Sequence, residues 1–381
     1  MKPKLLLHIG TPKTGTTTIQ AALFEARTRL LTDCKTLFPT TSRGKSAHRH
    51  TSIANAIKAG LDEQALEFKE IMSEFERSGA QQIFITDEGL ALKARTAPFF
   101  QRFERAGFDI SVVCYVRRWD YFAESLYNQV IRLKNYKGVP PINEFWRDDK
   151  VISKMDYSEM LSPWEDISSE MIVRDFHKEV ASDGGLLESF KRACGFEALG
   201  DIDAPRRNVS RDMRMLMLLC HSSPGNSVDD LKALALAVGG ATRRLIETGV
   251  LKPFKYLLGT DEREELLSTM RANSTQLTDD HGIDFADDRP REPKDPLLAP
   301  DAAYMLAVMG ELSVIELLRL HKCLKWRLTE LLGEVPDGDL LDASMDGQED
   351  VPGAWLSALD EDEFATNLAA EPEPELAAAS A

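Results

Sequence analysis

Lys4-Leu5-Leu6-Leu7-His8-Ile9-Gly10-Thr11-Pro12-Lys13-Thr14-Gly15-Thr16-Thr17-Thr18 is the stretch whose reading decides the fold. Residues 4–9 form an apolar run of the length expected for a buried strand. Gly10 and Gly15 bracket a turn, and residues 16–31 then carry helical spacing. A glycine-containing turn between a strand and a helix start exposes several backbone N–H groups at the positive end of the helix dipole. That arrangement is a ready anion site. Three threonine hydroxyls add donors, and Lys13 adds a full charge.

Working outward, residues 82–86, 110–116 and 170–176 are further short apolar runs. Between them, residues 61–78 and 121–133 have helical spacing. Strands alternating with helices predict an α/β fold, a parallel sheet flanked by helices. Ligands of such sheets bind beyond the carboxyl ends of the strands. From about residue 209 the pattern is mostly helical, with segments expected at 211–221, 228–248, 262–278 and 302–332 and a long loop at 279–300. The expected organisation is an α/β domain over 1–285, a helical C-terminal extension over 286–335 and an acidic disordered tail over 336–381.

The tail accounts for most of the charge. From Pro336 onward there are 13 acidic residues and no Lys or Arg, so residues 1–335 carry only about −3 of the net −16. The body offers no basic stripe of the kind a nucleic-acid surface requires. The 43% apolar content leaves ample material for a core. The five cysteines, Cys34, Cys114, Cys194, Cys220 and Cys323, are odd in number, widely spaced and never in a C-x-x-C pair, which argues against a disulfide framework or a structural zinc site. The run Leu5-Leu6-Leu7 is too short for a signal peptide, and no stretch approaches the roughly 20 apolar residues of a membrane span. A cytoplasmic protein without a transmembrane segment is expected.

The loop departs from the nucleoside triphosphate pattern G-x-x-x-x-G-K-[ST]. Gly10 and Gly15 have the right separation, but Thr16 stands where the lysine belongs, and the lysine lies inside the turn. A lysine after the second glycine reaches the β and γ phosphates, whereas one within the turn sits nearer a single bridging oxygen and its leaving group. A second anion site is readable after the third apolar run. Arg117 leaves its carboxyl end and Ser125 follows in the next helix. A forked guanidinium and a hydroxyl together suit a phosphate monoester.

With both sites in hand, the chain resembles the PAPS-dependent sulfotransferases, PAPS being 3′-phosphoadenosine-5′-phosphosulfate, and among them the bacterial members. Their 5′-phosphosulfate loop, P-K-[ST]-G-T-T, is matched by Pro12, Lys13, Thr14, Gly15, Thr16 and Thr17. Their 3′-phosphate motif, an Arg at a strand end with a Ser eight residues later, is matched by Arg117 and Ser125. The likeness continues more loosely through Asp156-Tyr157, Trp164 and residues 171–176. Arg118-Trp119 departs from the commoner Arg-[Asn/Asp]-Pro run. The resemblance implies a P-loop-type sheet and sulfuryl transfer from PAPS to an acceptor hydroxyl, with a saccharide preferred over a small-molecule alcohol or phenol. Lys13 would stabilise the leaving oxygen, backbone N–H groups of Thr14, Gly15, Thr16 and Thr17 would hold the 5′-phosphate, and no metal is implied.

Two residues are candidates for the base that accepts the acceptor's proton. Glu88 follows the strand at 82–86, and a Glu or His in this interval serves as base in similar sulfotransferases. His50 precedes a helical segment and could reach the same cleft. Arg207 and Asn208, in the basic loop 205–211, are candidates to close over the 3′-phosphate. Two other readings stay open. A P-loop kinase or NTPase would use the strand ending in Asp87 to hold Mg²⁺, and a non-catalytic nucleotide-binding or scaffold protein would use the acidic tail to bind a partner.

Overall fold

The structure, a computed structural model, describes residues 2–43, 48–91, 97–202, 212–222, 226–272, 275–285 and 302–324. Five strands, β1 (Lys4–His8), β2 (Thr36–Leu37), β3 (Gln82–Thr86), β4 (Asp109–Val116) and β5 (Glu170–Asp175), form one parallel sheet in the order β2-β3-β1-β4-β5. Four of them fall on the predicted apolar runs. β2 has only two residues, too few to leave a periodic signature.

Alternation along the strands sends side chains to both faces. Leu5, Leu7, Ile83, Ile85, Val112 and Cys114 enter one buried cluster, and Leu6, Phe84, Val113 and Tyr115 enter the other. Helices cover each face, as a parallel sheet requires. The predicted helix at 16–31 is two helices, α1 (Thr16–Glu25) and α2 (Arg27–Cys34). They part at Ala26, where Arg27 Nη1 donates to the Phe24 carbonyl at 2.9 Å and satisfies an acceptor that α1 leaves over. Then follow α3 (Thr51–Ala59), α4 (Leu61–Ser78), α5 (Ala97–Arg105) and α6 (Trp119–Leu133). Short helices α7 (Ile142–Phe145), α8 (Asp149–Met155) and α9 (Tyr157–Glu165) lead to β5, and α10 (Phe176–Ala181) and α11 (Gly185–Cys194) follow it.

The second half is helical, as predicted, but in more pieces: α12 (Met213–His221), α13 (Val228–Glu247), α14 (Thr260–Ala272), α15 (Thr275–His281), α16 (Ala302–Glu311) and α17 (Val314–Leu324). The loop expected from residue 279 therefore begins three residues later, after His281. α16 packs on α13, with Tyr304 hydroxyl and Thr242 Oγ1 2.8 Å apart in the core. The acidic tail lies outside the described residues. Among the described residues no helix is long and apolar enough to cross a membrane.

From β1 the chain crosses towards β2, and from β4 it crosses the other way to β5. The carboxyl ends of β1 and β4 therefore flank the topological switch point, where sheets of this kind bind ligands.

Candidate functional site

The loop after β1 is tied to its neighbour from both ends. Ile9 N–H donates to the Val113 carbonyl at 3.1 Å, and Thr11 Oγ1 donates to the Tyr115 carbonyl at 2.7 Å. Thr14 Oγ1 closes the turn on the Thr11 carbonyl at 2.7 Å. Lys13 adopts a left-handed backbone at φ 68°, which costs a non-glycine residue on the order of 1 kcal/mol. Gly15 is the N-cap of α1 at φ 74° and has no side chain with which to cap the first N–H groups of the helix. Those groups are the donors a helix start leaves over. A Cβ on Gly15 would press on the tip of the Leu186 side chain, and the left-handed backbone is itself what calls for glycine. Gly10 is also closely fitted: a Cβ there would lie 2.8 Å from Thr16 Oγ1 and 3.0 Å from His8 Nε2.

Arg117 leaves β4 beside this loop. The sequence reads two separate anion sites, but the structure joins them, for Arg117 Nη1 donates to the Lys13 carbonyl at 3.0 Å. That bond holds the left-handed turn from outside. Tyr157 fixes the Arg117 backbone, accepting its N–H at 3.2 Å and donating to its carbonyl at 2.6 Å. The guanidinium lies 5.6 Å from the Phe176 ring centroid and 6.0 Å from that of Tyr121. Burial lowers the pKa of Arg117, but Tyr157, Glu124, Asp120 and Tyr121 oppose the shift. Its Nε is buried without a hydrogen-bond partner, and among the described residues no carboxylate pairs with it. A half-buried cation with donors to spare is what an incoming anion needs. Ser125 stands half-buried two turns into α6.

Sequence reasoning missed the charges behind Arg117. Arg118 Nε and Nη2 grip Asp120 at 2.7 and 2.8 Å, and Arg263 Nη1 reaches the same carboxylate at 2.6 Å. Arg263 Nη2 also donates to Glu124 Oε1, which accepts the Leu257 and Leu258 N–H groups at 2.6 and 2.9 Å. All four side chains are buried. Burial pushes Asp120 up, yet Arg118 and Arg263 outweigh it and hold the carboxyl below the usual range. Burial raises Glu124, against Arg263 and the two N–H donors. Asp120 and Glu124, four residues apart and so on one face of α6, were the available signal.

The two candidate bases differ in placement. β1 and β3 run in register at His8 and Thr86, so Glu88, just past β3, leaves the sheet level with Gly10. Glu88 is buried and opens a short 3₁₀ turn, capped by Asp87 Oδ1 accepting from Gly89 N–H at 2.7 Å. His50 is fully buried with both ring nitrogens engaged. Nδ1 accepts from Thr86 N–H at 3.0 Å and Nε2 faces the Pro39 carbonyl at 3.1 Å, which assigns the neutral Nε2–H tautomer. Its N–H donates to the Thr86 carbonyl as well, at 3.0 Å. His50 thus extends the backbone pairing at the end of β3. With both ring nitrogens engaged, His50 is held as a structural residue and is not poised to accept a proton. Arg207 and Asn208 lie outside the described residues.

Burial lowers the His50 pKa to about 4 and that of His8 to about 3. Since the unfolded chain binds these protons near pH 6.5 and the folded chain does not, stability is complete above that pH and is lost as pH falls towards 4. Urea unfolding should show His50 alone removing on the order of 2 kcal/mol between pH 7 and pH 5, with His8 adding a loss of the same sign. Equal stability at the two pH values would contradict the locked neutral rings.

No family model and no curated protein matches the chain. Among solved structures, a chain from the PezAT chromosomal toxin–antitoxin system of Streptococcus pneumoniae is similar over 50% of this chain and 78% of that one, at 15% identity and a TM-score of 0.23. At that TM-score the likeness supports no statement about fold or function. What fold and site define by themselves is an α/β protein with a cationic loop at the switch point of a five-stranded parallel sheet.

Proposed function

We propose that the chain is a PAPS-dependent sulfotransferase of the P-loop type, acting on a hydroxyl acceptor, with a saccharide as the preferred class. The observation that carries this reading is the bond between Arg117 and the Lys13 carbonyl. It joins a guanidinium with no carboxylate partner among the described residues to a turn whose lysine lies inside it, so two cations meet at one sheet edge. A ligand with phosphates at both ends fits that pair. Backbone N–H groups at residues 14–17 hold the 5′-phosphate, and Arg117 and Ser125 take the 3′-phosphate.

In the transfer the acceptor oxygen attacks sulfur as the bond from sulfur to the bridging oxygen breaks. Glu88 takes the acceptor's proton, and adenosine 3′,5′-bisphosphate departs with the bridging oxygen. By analogy with phosphoryl transfer the transition state is loose, and catalysis is positioning plus charge stabilisation. Lys13 supplies charge where it develops on the leaving oxygen.

A kinase or NTPase is the competing reading, supported by the apolar strand that ends at Asp87, although Asp87 Oδ1 is engaged in capping Gly89. Thermal unfolding separates the two. A ligand that binds only the folded state raises its stability. Adenosine 3′,5′-bisphosphate should raise Tm by several degrees, and ATP with Mg²⁺ by less. The reverse order would favour the nucleotide hydrolase.

A further inference from the structure

We infer that Arg263, on α14 in the helical half, is a positioning residue that keeps the anion site positive by neutralising the acidic face of α6. This rests on the reading of Arg117 as an anion ligand. The start of α6 brings Arg117, Arg118, Asp120 and Glu124 together, and by themselves these four side chains sum to zero. Without a further cation, an anion approaching Arg117 would meet only the charge of Lys13, because the α6 side of the site was already balanced. Arg263 enters from 143 residues away and pairs with Asp120 and Glu124 at once. Three guanidinium groups then face two carboxylates, and one positive charge is left over.

The geometry decides where that charge resides. Arg118 and Arg263 are both fully buried and both bonded to Asp120. Among the described residues, Arg117 alone of the three has no carboxylate partner and only a backbone carbonyl as its hydrogen-bond acceptor. The guanidinium carbons of Arg117, Arg118 and Arg263 all lie within 6.0 Å of the Tyr121 ring centroid, at 6.0, 4.4 and 5.8 Å. Guanidinium groups gathered around one ring lie at most about 12 Å apart, near enough in a partly buried site for their charges to change an affinity. Glu124 also accepts the Leu257 and Leu258 N–H groups, so the loop leading into α14 is anchored to the helix that carries Ser125. The helical half thereby sets the charge of a site otherwise built by the sheet edge.

If net charge rather than shape is what Arg263 provides, anion affinity must follow the charge count through variants of different composition. The test is calorimetric titration of adenosine 3′,5′-bisphosphate and of inorganic pyrophosphate into the full chain and three variants, with Tm recorded for each. Arg263→Met brings the count to zero and should bind both probes about tenfold more weakly. Glu124→Gln raises it to two and should bind them several-fold more tightly. The double variant restores one positive charge with a neutral pair and should return to wild-type affinity, whatever its Tm. A folded Arg263→Met protein with wild-type affinity overturns the inference. So does a double variant no tighter than Arg263→Met, or a Glu124→Gln protein no tighter than wild type. If Arg263→Met does not fold, Glu124→Gln and the double variant decide alone. Wild type binding neither probe would remove the anion-site reading and this inference together. Wild type binding both, with affinities indifferent to charge, removes only the inference.

Discussion

Lys13→Ala should lower kcat and kcat/KM together, by roughly 10²–10³-fold, the usual loss for one preorganised charge-stabilising donor. The reason lies in where the lysine sits. A residue that held the phosphosulfate equally in ground and transition states would change KM and leave kcat alone. Lys13 lies inside the turn, in a left-handed conformation whose carbonyl Arg117 holds, and on the proposed reading it sits beside the bond that breaks rather than along a polyphosphate chain. Lys13→Arg should rescue poorly, because a planar fork does not replace a compact ammonium within a tight turn. Exchanging the residues, Lys13→Thr with Thr16→Lys, imitates the nucleotide-hydrolase arrangement and should leave sulfuryl transfer unrestored. Turnover of purified variants, shown to be folded by circular dichroism, is the measurement. A Lys13→Ala protein with normal kcat would refute the mechanism and leave the fold untouched.

The residues that could be read in advance are those whose role is local. Residues 4–9 announce a strand because all of the signal lies in six consecutive positions. The bounds 61–78 of α4 and 82–86 of β3 were legible because each element carries its own period. Lys13 and Gly15 stood out because a turn between strand and helix has few solutions. Roles set by contact between distant segments were hidden. His50 looked able to reach a cleft because nothing nearby in sequence shows that Thr86 and Pro39 will take both ring nitrogens. The single helix expected over 16–31 parts at Ala26, where Arg27 turns back onto the Phe24 carbonyl in a contact that no propensity contains. Arg117 read correctly as a cation at a strand end, but its bond to Lys13 spans 104 residues. Arg263 could not be singled out among the charged residues of α14, because its partners lie on another helix.

That bond changes what Arg117→Ala should do. Two separate anion sites predict loss of the 3′-phosphate contact alone. In the structure one arm of the guanidinium supports the loop, while Nε is buried without a partner. Removing the side chain therefore loosens the turn for every ligand and in addition deprives a 3′-phosphate of a charged hydrogen bond. The first loss is shared by adenosine 3′,5′-bisphosphate and adenosine 5′-phosphosulfate, and the second belongs only to the ligand with a 3′-phosphate. The difference between the two losses isolates the contact. It should be about 1.5–3 kcal/mol, the range for a hydrogen bond to a charged group, or roughly 10- to 150-fold in relative affinity. Ser125→Ala should show a smaller difference of the same sign without the shared loss, since among the described residues Ser125 makes no hydrogen bond to the loop. Titration of both ligands into both variants reads the two components directly. Equal losses for the two ligands on Arg117→Ala would make the residue a strut of the loop and leave the 3′-phosphate to other donors.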